Sequence, residues 1–297
     1  MKSQLEESLR TRMRSLHAMP TIPSILTSVL QALDMPPDQL EIEKVTEMIS
    51  HDKSIAAQCL RMANSALFMR QSAIETIRGA VVALGARRLR DILWSSFLMQ
   101  MAPKNNWPLN ARAFWEHSFG CALVSQQFAR KLSLPDPERV YLCALLHDIG
   151  ELVNATLLPE PFRATANLAV SRNIPLFDAE AETLGFTHCD TGKLLAEYWN
   201  LPPSTQAVIE YHHTPEKSPA ADAVVAIVNL SDYLCRLRGM GYGYDELLEI
   251  QFSRLPGWEL LHQAVPQLDQ FDIARFTLEL DGDADEIQRL VAATFAS

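Results

Sequence analysis

Few features of this chain point outward to a membrane, a nucleic acid or an oxidising compartment. It has five cysteines, Cys59, Cys121, Cys143, Cys189 and Cys235, with no CxxC spacing among them, which excludes a zinc ribbon. Their odd number, and an N-terminal stretch MKSQLEESLRTRMRSL that lacks the apolar core of a signal peptide, lead to the expectation of reduced thiols in a cytoplasm. No run reaches the roughly 18 apolar residues of a membrane span, so no membrane partner is expected. The formal charge is −10, spread along the sequence, and the one compact basic cluster, GARRLR at 85–90, fits a solvated helix face. Binding to nucleic acid, which needs cationic side chains that displace counterions, is not expected. There is no internal repeat, no low-complexity tract, and no DNA-binding, kinase, receiver or diguanylate cyclase segment, so regulation of such proteins would have to occur in trans.

Apolar alternation of period two is sustained nowhere, which argues against strands, whereas spacing of three and four recurs throughout. Helices are expected over PSILTSVLQAL, EIEKVTEMI, HDKSIAAQCLRMANSALF (capped near Asp52 or Ser54) and VVALGARRLRDILWSSFLMQM. PKNNWP at 103–108 then breaks the pattern. Beyond it, ARAFWEHSFGCALVSQQFARKL, ERVYLCALLHD, PEPFRATANLAVSRN, DTGKLLAEYWN, PPSTQAVIEYHH and SPAADAVVAIVNLSDYLCRL have the same character. VVAIVNL has the look of a short buried strand, but its flanks favour a helix. GMGYGYDELLEI reads as a loop and DGDADEIQRLVAATF as a terminal helix. The expectation is an all-α fold of two helical lobes, an N-terminal lobe over 1–105 and a helical core with its tail over 106–297.

The chemistry concentrates around ALLHDIGEL at 144–152, where His147 and Asp148 interrupt an apolar run. Buried polar groups cost free energy unless each finds a partner. Adjacent helical residues diverge by about 100°, so this pair does not share a face. Both can lean over a helix end, with Gly150 expected as the left-handed stop. Further candidates in apolar surroundings are His117, His188, His212, His213 and Asp232. Imidazole and carboxylate donors without an obligatory thiolate suit a divalent transition metal such as iron, manganese, zinc or nickel. Seven groups exceed the needs of one ion and suffice for two that share a bridging carboxylate. A hydrogen-bonded network of buried residues is the competing reading. Cys121, four residues after His117, and Cys143, four before His147, read as small core residues.

The order His117, His147-Asp148, Asp232 on a helical chain resembles the HD superfamily of metal-dependent phosphohydrolases. MPTIPSI, ISHDKSIAAQCLRMANSALF and AVVALGARRLRDIL, with the asparagine-serine-alanine of MANSALF the most specific element, bring the resemblance closer to the HDOD domains, over about residues 17–215. That resemblance implies a bacterial signalling module, acting by binding a regulatory protein or a small nucleotide-like ligand, with one or two metal ions. The seven residues named above fall in the ligand order of the related HD-GYP phosphodiesterases, which implies the alternative of a metal-dependent phosphohydrolase with His147 and Asp148 holding the metals. In that arrangement Asp148 bridges, Asp232 completes the site of the doublet, and His188, His212 and His213 hold a second ion. Two departures weigh against hydrolysis. No glycine-tyrosine-proline element follows His212-His213, GYGY at 241–244 comes too late to replace it, and Glu151 stands where the phosphodiesterases carry a lysine.

Overall fold

The computed structural model describes residues 21–36, 38–64, 73–101, 107–108, 110–219, 222–244 and 251–295. Outside them lie the N-terminal MKSQLEESLRTRMRSL, the first two residues of MPTIPSI, SALFMRQS, PKNN of the expected break, and DELLEI. The elements among the described residues are fourteen α-helices and three short 3-10 turns, so the chain is all-α. VVAIVNL is helical. The described residues group into two compact units, one within 20–102 and 285–297, the other within 103–284.

The first unit opens with α1 (Ser24–Leu33), which buries Leu26, Val29, Leu30 and Leu33, the stripe that its apolar spacing dictates. α2 (Ile42–Ser50) buries Val45 and Ile49. α3 (Lys53–Ala63) starts where the Asp52 carboxylate accepts from the Ile55 backbone N–H at 3.0 Å, an N-cap that satisfies an otherwise unpaired donor. Asn64 follows. Its side chain accepts from Ile74 N at 2.7 Å and donates to Ile74 O at 2.7 Å and Leu60 O at 2.9 Å, which gives the asparagine of Asn-Ser-Ala a structural task. α4 (Ile77–Met101) is not the continuous helix expected. Gly85, at φ 75° and ψ 168°, divides it, a backbone conformation essentially confined to glycine.

The second unit is built on α5 (Ala111–Lys131), whose N-terminus is capped by the Asn110 side chain and whose residues are buried almost all round. α6 (Pro137–Leu145), capped by Asp136 with Pro137 in its first turn, packs along α5, as does α12 (Ala223–Leu237) on another side. Between them in the chain come α7 (Ile149–Leu157), α8 (Pro159–Arg172), α9 (Leu176–Thr183), α10 (His188–Tyr198) and α11 (Pro203–Tyr211). α13 (Pro256–Ala264) packs on α12, and the last described element is α14 (Ile273–Phe295). The stretch Pro137–Leu157 is apolar enough, by length and composition, to cross a membrane, contrary to the expectation from sequence. It is two helices rather than one, and 94% of its apolar window is buried within the protein.

Candidate metal centre

The His147-Asp148 doublet occupies a joint between two helices. Leu146 closes α6, and Asp148 is the residue from which α7 departs. Gly150 is therefore no left-handed stop. It lies inside α7 and is absent from the glycines with positive φ. Its small size has another cause, since a Cβ there would overlap the His188 carbonyl oxygen and lie 2.7 Å from Gly192 N. A Cβ on Gly192 would in turn sit 2.6 Å from Ile209 Cγ2. These two glycines let α7 close on α10, which brings Asp148 to His188. His188 is placed at the first position of α10 because Asp190 reaches back to accept from Thr187 N at 2.8 Å, starting the helix two residues earlier than DTGKLLAEYWN suggested. His117 projects from the middle of α5, His212 closes α11, and Asp232 lies on α12.

All seven residues singled out in the sequence converge. Asp148 Oδ2 lies 3.4 Å from His117 Nε2 and 3.1 Å from His147 Nε2, and Asp232 Oδ1 lies 3.3 Å from His117 Nε2. The other oxygen of the same carboxylate, Asp148 Oδ1, lies 3.3 Å from His188 Nε2 and 3.2 Å from His212 Nε2, and His213 Nε2 is 3.1 Å from His188 Nε2. Asp148 thus stands between two sets of donors, one on each of its oxygens. Six of the seven side chains are at most 1% exposed, and His213 is at 9%.

The outward nitrogens decide what the inward ones offer. Nδ1 of His117 meets Met240 O at 2.7 Å, Nδ1 of His147 meets Ala144 O at 2.7 Å, and Nδ1 of His212 meets Val208 O at 3.1 Å. Carbonyl oxygens only accept, so each Nδ1 carries a proton and donates it. Nδ1 of His188 donates to Glu180 Oε2 at 2.7 Å, an oxygen that also accepts from His188 N at 2.8 Å. In the neutral tautomer so fixed, every Nε2 presents a lone pair inward. Two pairs of these, His117 with His147 and His188 with His212, face each other at 3.3 Å with no proton between them. Such an arrangement is repulsive unless a proton or a cation intervenes.

Three observations test whether a metal ion suits this place. Asp148 Oδ1 and Asp232 Oδ1 are buried with no hydrogen-bond donor. Asp148, Glu151, Glu180 and Asp232 are all buried, and the guanidinium of Arg236, also buried, pairs with Asp232. Finally, separations of 3.1–3.4 Å are those of neighbouring ligands each about 2.1 Å from one ion. The residues fit a divalent transition metal on each side of Asp148. In its absence the protonation states divide. Burial opposes charge on every imidazole; at His117 the carboxylates of Asp148 and Asp232 outweigh it and hold the pKa well above its ordinary value, whereas burial prevails at His147 and, with His212 and His188 adding to it, at His213.

Several participants escaped the sequence reading. Glu180 orients His188, and Asn154 donates to its second oxygen at 2.9 Å. Arg236 donates to Asp232 Oδ2 at 2.8 Å, four residues on along α12, a spacing visible in principle. Tyr242 donates its hydroxyl to Asp148 Oδ2 at 2.9 Å. It belongs to the GYGY segment, remote in sequence but not in space. Cys121, read as core, has its sulfur 3.6 Å from His117 Nε2.

Comparison with known proteins places this arrangement. The family model of the HDOD domain matches residues 19–215. A crystal structure of an HDOD domain protein of unknown function from Geobacter sulfurreducens superimposes with a TM-score of 0.84 at 28% identity, over 98% of this chain and 97% of that one. A protein from Shewanella amazonensis described as a candidate phosphohydrolase superimposes with a TM-score of 0.69 at 23% identity, over 96% and 98% of the two chains, a likeness of fold alone. An uncharacterized protein of Treponema pallidum (strain Nichols) is 27% identical over 219 residues, 71% of this chain and 42% of that relative. The chain therefore spans about two-fifths of that relative's length.

Proposed function

Because this chain belongs to the HDOD domain family, we propose that it is a bacterial cytoplasmic signalling module holding two divalent transition-metal ions, and that it works by binding rather than by turnover. His117, His147, Asp148 and Asp232 hold the first ion; Asp148, His188, His212 and His213 hold the second. The partner is a regulatory protein or a small nucleotide-like ligand. The observation that carries the metal reading is the pair of donorless, fully buried oxygens, Asp148 Oδ1 and Asp232 Oδ1, aimed among inward-facing imidazole nitrogens. Burial supports the absence of turnover, since six of the seven side chains are at most 1% exposed and a phosphodiester needs a path to the metals. Glu151, also fully buried, stands beside the site as an acid where a cation would help a phosphate.

A second reading, a metal-dependent phosphohydrolase, draws on the bridging placement of Asp148 between two donor sets. Paired ions there would supply Lewis-acid activation of water and phosphate. His147 and Asp148 would anchor them, while the outward contacts to Ala144 O and Tyr242 hold the two side chains in place. Elemental analysis of the purified protein separates these readings when combined with an assay on a generic phosphodiester. Metal in the wild type, its loss in Asp148→Ala, its retention in His262→Ala and no cleavage are expected. A metal-free wild type overturns the metal reading, and cleavage that disappears in Asp148→Ala replaces the signalling module with a hydrolase.

A further inference from the structure

We propose that Cys121 supplies a thiolate ligand to the first ion and closes its coordination shell. This rests on the two-ion reading above and goes beyond it. Cys121 follows His117 by one turn of α5 and is fully buried. Its sulfur lies nearer to the inward Nε2 of His117, at 3.6 Å, than to the outward Nδ1, at 4.0 Å. One donor atom from each of His117, Cys121, His147 and Asp232 can be chosen so that all four lie within 4.8 Å of one another. A sulfur about 2.3 Å and a nitrogen about 2.1 Å from one ion, with about 110° between them, are about 3.6 Å apart. The independent sign that this group awaits a cation is Asp232 Oδ1, buried and without a donor.

The second donor set offers a contrast. Cys189 Sγ lies 3.9 Å from His212 Nδ1, the nitrogen that faces away from Asp148, so this thiol stands behind the ring rather than among the donors. A thiolate therefore reaches one ion and not the other.

Two imidazoles, two carboxylate oxygens and a thiolate give the first ion five protein donors, more than the four that close a structural zinc site, so a zinc ion there needs no water or phosphate oxygen. The closed shell gives a chemical reason for binding without turnover. Thiolate also selects zinc, iron or cobalt over manganese or magnesium. As the metal–sulfur bond forms, the Cys121 S–H proton passes to solvent and the sulfur lone pair to the ion.

Cobalt(II) substitution of the full chain tests this without recourse to activity. The cobalt-loaded wild type is expected to show a near-ultraviolet thiolate-to-cobalt charge-transfer band. The band is expected to vanish in Cys121→Ser and Cys121→Ala and to persist in Cys235→Ser, with cobalt content measured and helicity checked by circular dichroism. Cobalt bound by the wild type without the band overturns the role of Cys121 and leaves the two-ion reading standing, as does a band that survives both Cys121 substitutions. A wild type that binds no cobalt overturns both.

Discussion

Asp148 and Glu151 sit three residues apart, equally buried, and burial raises the pKa of both carboxyls. At Asp148 the imidazoles of His147, His117 and His212 outweigh it and hold the group well below the usual carboxylate range. At Glu151 neither oxygen has a donor, and the charge of Asp148 adds to burial, so the carboxyl is pushed well above that range. The unfolded chain ionises Glu151 at its ordinary pKa while the folded chain does not, so this group removes stability as pH rises. His117, raised in the folded state, contributes stability below about pH 6.5 that is lost as pH rises through its folded pKa. Metal-free protein is thus expected to lose thermal stability between about pH 6.5 and 8.5. Metal-loaded protein is expected to show the opposite slope, since protons on His117 and His188, both raised, compete with the ion at the lower pH. Parallel melting curves with EDTA and with zinc would refute this. Glu151→Gln should flatten the metal-free slope by about 1.4 kcal/mol per pH unit over the interval in which only the unfolded carboxyl is ionised. A slope like that of the wild type counts against it. Glu180→Gln, by loosening His188, is expected to weaken the second ion about 10–100-fold and spare the first, as titration calorimetry would read.

At the scale of elements, the contact of α7 with α10 determines whether the donors meet. Gly150→Ala drives a methyl into the His188 carbonyl, and backbone cannot yield as a side-chain tip can. It is expected to cost at least about 1–3 kcal/mol and to lower metal content, because Asp148 and His188 separate. Gly282→Ala, on α14 with open space around it, should instead be neutral or gain up to about 1 kcal/mol. Chemical denaturation with elemental analysis distinguishes the two, and a Gly150→Ala protein that keeps its metal refutes the close-approach argument. This contact was not legible in the sequence. Apolar periodicity located most helices, and Pro and Asp marked many of their starts. The α6–α7 joint offers no Pro or Gly before His147, so the sequence showed one helix ending there and not a second beginning. α9 is eight residues long and acidic, too short for a periodic signal, yet it carries Glu180.

For the molecule as a whole, the candidate donors come from α5, the α6–α7 joint, α10, α11 and α12, so ions held there would act as cross-links among segments distant in sequence. Which residues cluster was legible, because histidines and acids in apolar helices have few other uses. Which nitrogen faces which carboxylate oxygen was not, since that follows from helix packing, and Tyr242 was hidden for the same reason. Metal that binds only the folded form adds about 4 kcal/mol at a thousandfold excess over Kd, roughly 10 °C for a unit of this size. No described residue of 21–101 belongs to a candidate metal group. Hydrogen exchange with and without a chelator is therefore expected to show chelation accelerating exchange in peptides from α5, α6, α7, α10, α11 and α12, while those from α1, α2 and α3 stay unchanged. Equal acceleration in both units would mean that the ions stabilise more than the helices that hold them, and acceleration in neither would mean that packing alone holds these donors together.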